Sequence, residues 1–139
     1  KIAATIVEAV HAIHPELPLF VKPNSELERI AKEKGHPYIL ELFADRAYNR
    51  DLSLVSRRME GAVITDPYKA AENVIRMIKE KRVTTITGED VQIEGQTICV
   101  HGDTPTAVHM IKVLREALEK ENIEVTSPLK HKNIGGIVQ

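Results

Sequence analysis

Two short stretches bring together side chains able to do chemistry. In the first, Asp45, Arg46, Tyr48 and Asn49 fall within five residues. Asp45 could accept a proton or hold a ligand. Arg46 offers a planar fork of donors matched to a carboxylate or phosphate, and Tyr48 and Asn49 could orient a polar substrate. The second stretch is His101-Gly102-Asp103-Thr104-Pro105. His101 and Asp103 are proton-transfer or metal-ligating types. Gly102 lets backbone come close to a ligand. A helix opening at Thr104 or Pro105 would turn free N–H groups toward an anion. Each stretch also has a plainer reading. Asp45 and Arg46 could pair to tie a loop to a sheet rim. Asp103 or Thr104 could simply cap a helix while His101 bonds to a neighbouring loop. A metal site built on His101 and Asp103 would need at least one more ligand. Arg57 and Arg58 could close over an anion or stand solvated.

Both stretches follow predicted strands. Ala3, Ile6, Val10 and Ile13 recur at helical spacing and predict a helix over Ile2–Ile13 with that stripe inward, closed by His14-Pro15. Residues 17–21 read as a short buried strand. Asn24 or Ser25 then caps a helix running to Lys34, with Leu27, Ile30 and Ala31 inward and Gly35 as its stop. Tyr38–Phe43 is the next strand, and residues 45–65 form a long polar connection of the kind that is often functional. Asp66-Pro67 starts a helix to about Lys81. Residues 83–86 read as a strand, and 91–93 with 97–101 as a hairpin turning at Glu94-Gly95. A helix follows from Thr104 or Pro105 with Ala107, Ile111, Leu114 and Leu118 inward, then a short strand at 123–125 and a tail with Gly135-Gly136. Strands alternating with helices predict an α/β fold with parallel pairing and ligands at the carboxyl ends of the strands.

Composition sets the outer bounds. The chain has 139 residues, 42% of them apolar, with 19 Lys and Arg against 20 Asp and Glu. Such balance argues against general binding of nucleic acid or anionic membranes. No apolar run reaches the ~18 residues of a membrane span. Cys99 is the single cysteine, so no internal disulfide forms. Without a secretory pattern the expected compartment is the cytoplasm. Lys1 leads straight into a helix with no strand before it, as if the chain entered a fold midway.

The strings Ser25-Glu26-Leu27-Glu28-Arg29-Ile30-Ala31, Phe43-Ala44-Asp45-Arg46-Ala47-Tyr48, Leu54-Val55 with Arg57, Gly61-Ala62-Val63-Ile64 and Ile98-Cys99-Val100-His101-Gly102-Asp103-Thr104-Pro105 together resemble the LamB/YcsF family. The resemblance runs from about Ala3 to Val125. It implies part of a (β/α) barrel of the sugar-deacetylase-like type with a small hairpin insertion, residues 1–139 being one domain and the carboxyl-terminal half of a longer barrel. It also implies one component of an ATP-dependent 5-oxoprolinase, acting with two other subunits to open the lactam of 5-oxoproline to glutamate. Asp45, His101 and Asp103 would then be catalytic, and Arg46, Tyr48, Arg57, Gly102 and Thr104 would bind substrate or phosphate. No metal is specified.

The sequence also departs from the family. The acidic DLN-D-GE-type, the ACG-H-G-type and the KPHG-LY-type segments of its amino-terminal half are absent, and Val21-Lys22-Pro23-Asn24 matches the last only superficially. Leu52 stands where a small turn residue is usual, and Arg58-Met59-Glu60 replaces a Pro-Gly approach. The expectation is a chain that pairs with a separate amino-terminal piece or forms a homo-oligomer. Two rival readings are a metal-dependent amide or sugar-acetyl hydrolase and a non-catalytic, anion-binding assembly piece.

Overall fold

Residues 1–128 are described by the structure, a computed structural model; the Gly135-Gly136 tail lies outside them. The elements run α1 (Ile2–Ile13), β1 (Leu19–Val21), α2 (Glu26–Glu33), β2 (Tyr38–Phe43), α3 (Pro67–Lys79), β3 (Arg82–Thr84), β4 (Asp90–Gln92), β5 (Thr97–Cys99) and α4 (Ala107–Lys120). β2 lies at the centre of a three-stranded parallel sheet, ordered β1-β2-β5. Leu19 sits opposite Tyr38 on one side, and Phe43 opposite Cys99 on the other. The connection through α2 and the longer one through α3 are the crossovers that parallel pairing demands. The α/β class with parallel strands is therefore as the sequence predicts.

Local chemistry sets the helix ends. The Ser25 hydroxyl accepts the Glu28 N–H at 3.2 Å, and the Glu28 carboxylate accepts the Asn24 N–H at 2.6 Å. The Ser25 bond satisfies a donor that the helix start leaves free, and the Glu28 bond ties down the residue before the cap. Asp66 does the same for α3, accepting from Tyr68 and Lys69, with Pro67 at the first helical position.

The larger core joins β2, α3 and α4 through Leu42, Val74, Met77, Ile93 and Leu114, while a smaller one gathers Val7, Val21, Ala31 and Tyr38. The 45–65 connection is packed rather than loose. Isolated bridges pair Arg46 with Val63 and Tyr48 with Leu54, and Val55 and Ala62 are fully buried. Leu52 holds φ +66, the left-handed region that a small residue occupies at less cost. No helix among the described residues is long and apolar enough to cross a membrane.

Four expectations need correction. The hairpin joins β3 to β4, with Val83 opposite Val91, whereas β5 runs parallel to β2. Gly88, at φ +86, makes its turn. Gly95 instead marks a close crossing of β2: a Cβ there would lie 2.5 Å from Leu42 Cγ. On α1 the buried residue is Val7; Ile6 and Ile13 face outward, because the helix turns its Ala3–Val7–Val10 side toward α2. α4 begins at Ala107, past a turn in which the Ala107 N–H reaches the Thr104 carbonyl at 3.1 Å. It buries Met110 and Val113 and leaves Ile111 exposed. Residues 123–125 form no strand, since the Ile123 N–H returns to the Leu118 carbonyl at 2.9 Å.

Candidate functional site

Parallel pairing brings the carboxyl ends of β2 and β5 side by side. The Ala44 N–H reaches the Cys99 carbonyl at 3.0 Å, extending the ladder one residue beyond Phe43. The next residues on each chain then meet. The His101 N–H donates to Asp45 Oδ2 at 3.1 Å, and His101 Nδ1 lies 2.8 and 2.9 Å from the two carboxylate oxygens. A carboxylate can only accept, so Nδ1 is the donor to Asp45, and in the neutral ring the lone pair is then on Nε2. Asp45 is 3% exposed and the His101 side chain 26%. The dyad thus has a buried anionic end and an imidazole edge open to solvent. Phe43 stacks on the imidazole, with centroids 5.6 Å apart and planes 25° apart, which fixes the ring plane. Such an arrangement can accept a proton at Nε2 and stabilise the resulting cation through Asp45.

A second pair spans the same end of the sheet. Arg57 Nη1 meets Asp103 Oδ2 at 2.8 Å, linking the 45–65 connection to the turn after β5. Both side chains are about half exposed. Arg57 holds the Asp103 carboxyl below its usual range, helped by the residue's own backbone and the nearby His101.

The remaining candidates behave differently. Arg46 is buried; its Nη2 donates to the Val55 carbonyl at 2.6 Å, and its Nε has no partner. The Tyr48 hydroxyl accepts the Phe43 N–H at 2.8 Å, and burial pushes the phenol up to about 12. Arg46 and Tyr48 therefore brace the connection from inside, and Arg46 shares no partner with Asp103. Gly102 has open space where a Cβ would stand, and the Thr104 hydroxyl makes only a long contact with the Thr106 hydroxyl at 3.4 Å. Asn49 bonds to Ser53 within its own turn. Cys99 is half-buried on β5, and burial pushes its thiol up, with the Glu41 and Asp45 charges adding to the rise. No group of three His, Cys, Asp or Glu able to hold a metal occurs among the described residues. Sequence reading missed Phe43 as the ring support, for its strand position carried no other signal.

The sequence pattern of the LamB/YcsF family matches residues 1–133. The 5-oxoprolinase A-subunit of Clostridium beijerinckii is 46% identical over 125 residues, covering 90% of this chain and 49% of the relative. That of Coprothermobacter proteolyticus is 44% identical over 125 residues, covering 90% and 48%. The crystal structure of a lactam utilization protein from Thermus thermophilus superposes with a TM-score of 0.82 at 40% identity, covering 88% of this chain and 49% of that one. The chain spans about half the length of the curated relatives it matches.

Proposed function

Because the chain belongs to the LamB/YcsF family, we propose that it forms the dyad-bearing half of an A-type subunit of 5-oxoprolinase. In this reading it is part of a (β/α) barrel that works in the cytoplasm with two other subunits. The observation that carries the reading is the Asp45–His101 pair at the joint carboxyl end of β2 and β5, where open parallel sheets bind ligands. The names borne by relatives 46% and 44% identical add support.

A lactam amide is a poor electrophile. ATP, as co-substrate, would supply the phosphoryl group that activates the lactam oxygen, so that 5-oxoproline, ATP and two waters give glutamate, ADP and phosphate. His101 Nε2 takes the proton of the attacking water and returns one to the departing ring nitrogen. Asp45 holds the imidazole in the tautomer that allows this. Asp103 keeps Arg57 over the site until anionic oxygens replace the carboxylate. Gly102 and Thr104 leave the backbone of the turn accessible, while Arg46 and Tyr48 keep the connection in shape beneath.

The test is reconstitution with the complementary half of the fold and the partner subunits, following glutamate release and ATP consumption. His101→Ala should lower kcat by about 10²–10⁴-fold. A variant as fast as the parent would remove His101, and with it this reading, from the chemistry.

A further inference from the structure

β1 stops before the strand beside it does. It ends at Val21, opposite Leu40, while β2 runs on to Phe43. Successive N–H groups of a strand point to opposite sides. The Ala44 N–H reaches the Cys99 carbonyl on the β5 side, so that of Phe43 points to the side where β1 has already stopped. A buried N–H left there without an acceptor would bear the full cost of its desolvation. The Tyr48 hydroxyl supplies the acceptor, at 2.8 Å. Burial pushes that phenol up to about 12, so it stays neutral and keeps this role across the ordinary pH range.

Tyr48 is itself held on several sides. It is 1% exposed, its backbone bridges Leu54, and its carbonyl accepts the N–H of Ile86, in the β3–β4 turn, at 2.9 Å. The residue it grips carries the ring that stacks on His101, with centroids 5.6 Å apart. Two contacts therefore lead from the phenol to the imidazole, a hydrogen bond to the Phe43 backbone and the stack of the Phe43 ring. Asp45 fixes one edge of the imidazole, and the stacked ring fixes its plane. Both are needed to aim Nε2 in one direction. We propose that Tyr48 is a positioning residue for the Asp45–His101 dyad, acting through Phe43: its hydroxyl holds the end of β2 at the height where the Phe43 ring lies against the imidazole. Tyr48 touches no substrate. Its role rests on the dyad being the proton-transfer centre proposed above, and it makes the aim of His101 depend on the 45–65 connection and the β3–β4 turn, to which Tyr48 is tied.

The experiment follows the His101 ring signals of this chain by nuclear magnetic resonance, assigned by their loss in His101→Gln. In the parent they should carry a ring-current shift from Phe43, which Phe43→Leu removes. Tyr48→Phe takes away one oxygen and leaves both aromatic rings, yet it should move the His101 signals toward those of Phe43→Leu. In the reconstituted enzyme it should lower kcat about tenfold or more with little change in KM. His101 signals identical in Tyr48→Phe and the parent, with only the unfolding temperature lowered, would leave Tyr48 a structural residue and overturn the proposal. A parent-like kcat for Tyr48→Phe where His101→Ala is slow would do the same. In the unsubstituted chain the Phe43 amide should exchange as slowly as that of Ala44. Fast exchange there would also overturn the proposal, and that measurement stands even if Tyr48→Phe does not fold. The spectra and the exchange rates need no turnover, so they judge Tyr48 separately from the reaction, whose own test is His101→Ala.

Discussion

His101 commits one ring nitrogen to Asp45 and leaves the other to whatever lies above it. Replacing Asp45 with Asn keeps the shape but lets an amide donor face Nδ1, favouring the wrong tautomer. Asp45→Asn should therefore cut kcat of the reconstituted enzyme by about 10²–10⁴-fold with little change in KM. Arg57 and Asp103 are exposed partners, and such pairs contribute little to stability. Arg57→Ala should leave the unfolding temperature unchanged while raising KM for the anionic substrate, as steady-state kinetics would show. At the opposite end of the sheet, the fully buried His36 meets His11 with Nδ1 atoms 3.1 Å apart. Burial pushes the His36 imidazole below its ordinary 6.5, the Leu17 carbonyl opposes this, and His11 adds to it. The unfolded chain then binds more protons than the folded one, so this contribution is intact above 6.5 and is lost as pH falls through the lowered value. Urea midpoints should drop from about pH 7 to about pH 5, and His36→Gln should flatten that slope. Asp45 and His101 were each legible as candidates, but their meeting across 56 positions depended on which strands pair. The inward turn of Arg46 and Tyr48 was not legible, for it is set by the bridges to Val63 and Leu54.

Elements with a local stop or start were read well because the information sits in adjacent residues. Ser25 before α2, Asp66-Pro67 before α3 and the apolar run of β2 are examples. Where two residues offered the same signal, sequence could not choose. Gly88 and Gly95 both suit a turn, yet only Gly88 makes one, and Gly95 permits β2 and the chain entering β5 to touch. Gly95→Ala should cost about 1–3 kcal/mol by urea unfolding, since Leu42 and the Leu40 carbonyl both crowd the new methyl. On α1, the stripe containing Ile6 and Ile13 and the side containing Val7 share helical periodicity, and only the packing against α2 distinguishes them.

At the scale of the molecule, the smaller core under α1 rests on few buried side chains, with Val7 the only buried residue of that helix, whereas α3 and α4 share the larger one. Amide exchange should therefore be fastest along α1 and slowest in β2 and α3. The α/β class followed from element order, but which faces remain open did not, since no single chain pattern says what lies next to an edge. Cys99 gives the molecule a built-in chemical clock. As the sole thiol, half sunk on the strand at one margin of the sheet, it can react with a disulfide reagent at one place only. Its labelling rate reports each transient separation of β5 from its surroundings, without any introduced probe.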